Sequence, residues 1–211
     1  MTARRAMRAA VRDMYEYSWR LALLNVALAV VVAIALLLAS YALPALVLLV
    51  VVGPFAAALM HCAVTLQQTD ELRLRDGVAG LRLHWRRGLA LGALLGAVAV
   101  LGAVSVSFYA QRAWPVALVA LYVALMFGVW QIHVWPLAVA RHGERLADVF
   151  RDAARGLLRR PIASIAFALA LLLVNAVGAV GVLPVLTLTV AYSAVAAAHF
   201  VLPPPTEEAS T

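Results

Sequence analysis

The sequence predicts an all-α membrane protein: a polytopic bundle of six spanning helices with both termini cytoplasmic, plus two amphipathic helices in the cytoplasmic interface. Three observations carry that prediction. Of 211 residues, 65% are hydrophobic and 13% charged, whereas a soluble domain is about half apolar and about a quarter charged. The apolar residues fall in runs near the roughly 20 residues that a helix needs to cross hydrocarbon. All 17 basic residues are Arg, and 16 of them lie in, or for Arg20 at the edge of, segments that six crossings place on one side.

The spans follow in order, within a single membrane domain. The apolar stretch from Leu21 to Met60 exceeds a signal-peptide core of about 7–15 residues and is long enough for two crossings, 19–40 and 43–65. Ser40, Tyr41 and Pro44 mark the hairpin, because the residue before proline is pushed out of helical geometry. A third helix is expected over 88–109 and a fourth over 115–140. The fifth, 161–180, opens on Pro161, whose missing N–H costs nothing in a first turn. Gly181 and Pro184 lead to the sixth, 182–202. Segments 1–18, 66–87, 141–160 and 203–211 remain cytoplasmic, since Arg collects on that side. Arg112 alone falls opposite.

Two of the cytoplasmic segments resemble each other. Leu74, Val78, Leu81 and Trp85 line one face of a helix, and Leu146, Phe150, Ala153 and Leu157 repeat the spacing 72 residues later, with Arg73 and Asp76 matched by Arg145 and Asp148. Both segments read as short helices whose apolar faces enter the headgroup boundary, the first weakened by Gly77 and Gly80. The N-terminal segment reads similarly, with Met7, Val11, Met14 and Tyr15 on one face.

Apart from Arg20 at the edge of the first, the spans hold no Asp, Glu, Lys or Arg, which speaks against a proton relay of the carboxylate kind. The intramembrane polar contacts expected are Asn25, Gln131, Asn175, Thr187, Thr189 and Tyr192, chiefly as interhelical hydrogen bonds. Gly88, Gly92 and Gly96 stack on one face of helix three and predict a packing seam. Arg82, Arg86, Arg87, Arg155, Arg159 and Arg160 are the candidates for lipid or partner contact. His61, His133 and His199 fall at similar depths, and their spacing supports interfacial rings better than a metal centre. Cys62 has no partner for a disulfide or a CxxC site. No nucleotide-binding or hydrolase motif is present, so no enzyme, cofactor or metal is expected. The Arg residues are not interleaved with aromatics as nucleic-acid binding would need.

The chain resembles the YesL-like family of bacterial integral membrane proteins. The residues that carry the resemblance are Leu24-Asn25, Gly53-Pro54 with Ala56-Ala57-Ala58-Leu59, Trp135-Pro136-Leu137-Ala138, and Ala153-Ala154 with Pro161. It implies a multi-pass protein of the bacterial plasma membrane, encoded beside carbohydrate uptake and breakdown genes, without an established activity. The functional expectation is an accessory or permease-like component of carbohydrate uptake, partnered by lipid headgroups and a transport subunit. The alternative is a non-transporting organiser that docks partners on its Arg-rich cytoplasmic face.

Overall fold

The structure, a computed structural model, describes residues 2–41, 49–181 and 188–203, and these are helical almost throughout. Seven helices follow one another: α1 (Ala3–Tyr41), α2 (Leu49–Thr69), α3 (Leu74–Ala110), α4 (Trp114–Ala140), α5 (Leu146–Arg159), α6 (Pro161–Gly181) and α7 (Val190–Val201). Five of them, α1 to α4 and α6, are long and apolar enough to cross a membrane, while α7 is a shorter apolar helix. Leu101, Val104, Val119, Val123 and Leu173 are each more than half exposed on the outer faces of α3, α4 and α6. So much outward apolar surface is costly in water and costs nothing among acyl chains. The chain is a helical membrane bundle. The hairpin residue Pro44, together with Pro184 and Thr187, lies outside the described residues.

Two expectations about the Arg-rich segments need correction. Residues 74–87 do not form a separate interfacial helix; they are the first turns of α3, which runs unbroken through Gly88 into the apolar region. Likewise residues 3–16 continue into the first spanning helix, across a kink at the non-helical Tyr17. Only α5 is an independent amphipathic helix. In the N-terminal segment the buried face is Ala6, Ala10 and Asp13, whereas Tyr15 is 88% exposed. Small residues win the inward face because that segment lies directly against α7, where Tyr192 donates to the Met7 carbonyl.

The closest helix pair is α2 with α3. Pro54 has no N–H, so the carbonyl of Val50, four residues earlier, loses its helical donor. Gly92 lies beside that carbonyl: a Cβ there would stand 3.0 Å from Val50 O and 2.9 Å from Gly53 Cα. A Cβ on Gly88 would stand 2.6 Å from Pro54 Cα. Gly88 and Gly92 therefore form a seam within the chain, completed by Gly53. Gly96 takes no part in it: among the described residues nothing lies within 4 Å of its Cβ position.

Candidate functional site

Backbone and side-chain bonds draw the Arg-rich segments together at one end of the bundle. Tyr17 donates to the carbonyl of Asp70 and Arg20 to that of Leu72, tying the first segment to the second. Arg87 donates to the carbonyls of Ala138 and Arg141, both at 2.8 Å, and to that of Glu144, tying the second to the third. Arg87 is thus a structural staple across the α4–α5 turn rather than a free contact. Buried inside this end, Asp13 meets His199 at 2.7 Å, and Gln67 donates to the Pro203 carbonyl at 2.8 Å.

A cleft of about 490 Å³ opens at the same end between α4, α5, α6 and α7. Its rim holds Arg141, Arg155, Arg159 and Arg160 with one carboxylate, Asp152, and Phe200 forms a wall. The floor is His133 and Ser164, 6% and 1% exposed, with His133 Nε2 and Ser164 Oγ 2.9 Å apart. Asp152 accepts from Arg141 at 2.8 Å and from Arg155 at 3.0 Å. The Arg141 hydrogen bond, reinforced by Arg155, holds the Asp152 carboxyl below its usual range. Among the described residues no carboxylate pairs with Arg159 or Arg160. Glu144 also lies 3.6 Å from Arg141, and four guanidinium groups against these two carboxylates leave the cleft positive.

Of the Arg residues expected to meet lipid or a partner, Arg155, Arg159 and Arg160 are gathered by the fold in one cleft. Arg82 and Arg86 are exposed on α3 instead, Arg86 lying over the Trp85 ring. Of the cleft's other polar residues, Asp152 is the i,i+3 partner of Arg155, whereas His133 of α4, Arg141 just beyond it and Ser164 of α6 are joined to them by no local pattern. The Asp13–His199 pair was also missed. The small residues Ala6 and Ala10, spaced to share a face with Asp13, were the available signal.

The histidines serve as links between helices. His61 Nδ1 and His84 Nε2 are 3.2 Å apart across α2 and α3, while His133 and His199 bind Ser164 and Asp13. The expectation of interfacial rings gives way to buried or half-buried interhelical bonds. Among the described residues no three His, Cys, Asp or Glu side chains are placed to hold a metal ion.

The intramembrane amides behave differently from one another. Asn175 donates to Leu171 O at 2.8 Å and to Ser193 Oγ at 2.6 Å, joining α6 to α7. Asn25 is buried in α1. Thr189 is half-buried and its methyl lies against Gly178. Gln131 is buried and its amide has no hydrogen-bond partner among the described residues. It lines a second cavity of about 280 Å³, otherwise walled mainly by apolar residues such as Leu59, Met60, Trp135 and Leu171. No family model, no curated protein and no solved structure matches this chain.

Proposed function

We propose that this protein is a non-transporting organiser of the membrane that recruits an acidic partner through its Arg-rich end. The observation that supports it is the way that end is built. Arg20 and Arg87 are fixed to backbone carbonyls of other segments, while Arg82, Arg86, Arg159 and Arg160 are exposed and have no carboxylate partner among the described residues. A rigid frame carrying uncommitted guanidinium groups suits recognition of carboxylate or phosphate surfaces.

In this proposal the chain crosses the bacterial plasma membrane six times, the sixth crossing being α7 with the apolar residues that precede it in the sequence. Both termini and the Arg-rich end face the cytoplasm, as the bias of Arg toward that side supports. Tagging residue 75 or 151 and finding the label reachable only from outside the cell would overturn this orientation.

A second reading joins the YesL-like resemblance to the same surface: the recruited partner would be a subunit of a carbohydrate uptake system. An accessory role fits that reading better than a path through the chain. The cavity beside Gln131 offers two polar residues, Gln131 and Ser193, and Ser193 is already engaged by Asn175. A sugar's many hydroxyls would remain unpaired there.

The test is affinity purification of the full chain from membranes. The Arg82→Gln/Arg86→Gln variant is expected to lose a partner that the unaltered chain retains at low salt and releases at high salt, with insertion unchanged. Retention of the partner by that variant would sink the organiser, and loss of insertion would mean these residues serve orientation only. If deletion of the chain leaves sugar uptake unchanged, the second reading falls.

A further inference from the structure

The cleft between α4 and α7 is more selective than the exposed Arg residues around it. At about 490 Å³ it lies within the usual range of ligand sites, roughly 300–1,000 Å³. Asp152 already answers Arg141 and Arg155. What is left over sits at one corner: Arg159, Arg160 and the floor pair His133–Ser164.

We propose that this corner binds a phosphate ester. Three lines of chemistry converge on that class. A monoester carries about −1.5 to −2 charge and three acceptor oxygens, which match an excess of positive charge that one carboxylate would leave largely uncompensated. Two adjacent guanidinium groups offer a phosphate several charge-assisted hydrogen bonds. The buried Ser164 hydroxyl and His133 imidazole add polar groups on the inner side, where an ester oxygen or its carrier would reach them. Since α6 is long and apolar enough to span a membrane, its first turn stands where a lipid headgroup and a soluble ester can both arrive. The phosphate is the chemistry they share.

The inference builds on the reading of this end as the recruiting face, but it can fail alone. The full chain is placed in phosphatidylcholine nanodiscs and titrated calorimetrically with glycerol 3-phosphate, with succinate as the carboxylate control. In a second arm phosphatidic acid is doped into the nanodisc, and its retention is read by native mass spectrometry after extraction. Binding in either arm supports the site; heat with glycerol 3-phosphate assigns a soluble ligand, and retention of phosphatidic acid alone assigns a lipid. Arg159→Gln/Arg160→Gln is expected to weaken binding by about tenfold or more, the loss of charge-assisted hydrogen bonds being worth at least that. Arg82→Gln/Arg86→Gln is expected to leave it within about twofold, as these residues lie outside the cleft. Ser164→Ala serves as an inner-wall variant that keeps every charge and is expected to weaken the same ligand more modestly. No binding in either arm, equal binding of succinate, or indifference to the Arg159/Arg160 change overturns the phosphate site. If in that case a partner is still recruited through Arg82 and Arg86, the organiser reading stands without it.

Discussion

The two Arg-rich segments begin alike and end differently. Each starts a helix 72 residues from the other, at Leu74 and Leu146, behind an extended Arg73 or Arg145 and with Asp76 or Asp148 in the first turn. Asp76 accepts from the Arg73 N–H at 2.8 Å, an N-terminal arrangement that also suits the helix dipole. From there the first helix continues for 37 residues, while the second stops after 14. The position equivalent to Leu89 is Pro161, and Arg160 before it leaves the helical region at φ −141° and ψ 57°. A proline disfavours helix in the residue that precedes it. One residue type therefore decides whether an amphipathic segment becomes the head of a spanning helix or a separate helix packed beside it.

The faces differ as well. In α3 the buried row is Gly77, Gly80, His84 and Gly88, and the apolar row with Val78 and Trp85 points outward. In α5 Val149 and Ala153 are buried against Val134 and Ala138 of α4, and Phe150 meets Trp130 with ring centroids 5.2 Å apart. The Gly77 and Val149 positions are buried in both helices, but the apolar row is exposed in α3 at Val78 and Trp85 and turned inward in α5 at Phe150 and Ala153. Near the α2 seam only glycine lets the backbones approach, so small size outranks hydrophobicity there.

The largest effect expected from breaking this contrast is Leu89→Pro, which installs in α3 the stop that α5 has naturally. It should destabilise the bundle by about 3 kcal/mol or more, read as a lowered unfolding midpoint in mild detergent and a loss of helical circular dichroism; an unchanged midpoint would refute the register argument. Next comes glycine replacement. Gly88→Ala is expected to cost about 1–3 kcal/mol through overpacking on the Pro54 backbone. Gly156→Ala, whose new Cβ would meet only His133 Nδ1 at 3.3 Å, should stay within about 1 kcal/mol because helix propensity favours it. Equal losses at the two sites would show that the seam is not special.

The smallest expected effect is at Asp152, half-buried on the rim of the cleft. Its carboxyl titrates below the ordinary range in the folded chain because Arg141 and Arg155 hold the charged form. A group with a lowered folded pKa contributes stability above its unfolded pKa, and that contribution disappears as pH falls through the folded value. The small stability advantage of the unaltered chain over Asp152→Asn should therefore be present at neutral pH and vanish in acid. An advantage that grows on acidification would contradict the pairing.

Local signals carried much of the fold. Both ends of α4 and the start of α6 fall within a residue of expectation, because Trp114-Pro115 and Pro161 are punctuation that acts through the backbone itself. The Gly88–Gly92 seam was equally legible, since four-residue spacing stacks glycines wherever a helix forms. The cleft was only half legible: Arg155, Arg159 and Arg160 stand together in sequence, but Arg141, His133 and Ser164 reach them only through the packing of α4, α5 and α6.

What the sequence determined by itself was the solvent of this protein and the starting points of its helices. Both rest on short-range physics: the transfer of apolar side chains into lipid, and the dihedral limits set by proline. Which face of each helix turns inward, whether an amphipathic segment fuses to a span, and which guanidinium groups stay uncommitted were decided only by tertiary contact. Those outcomes depend on how closely two backbones can approach and on which buried partner is within hydrogen-bond reach, and neither quantity is local to the chain.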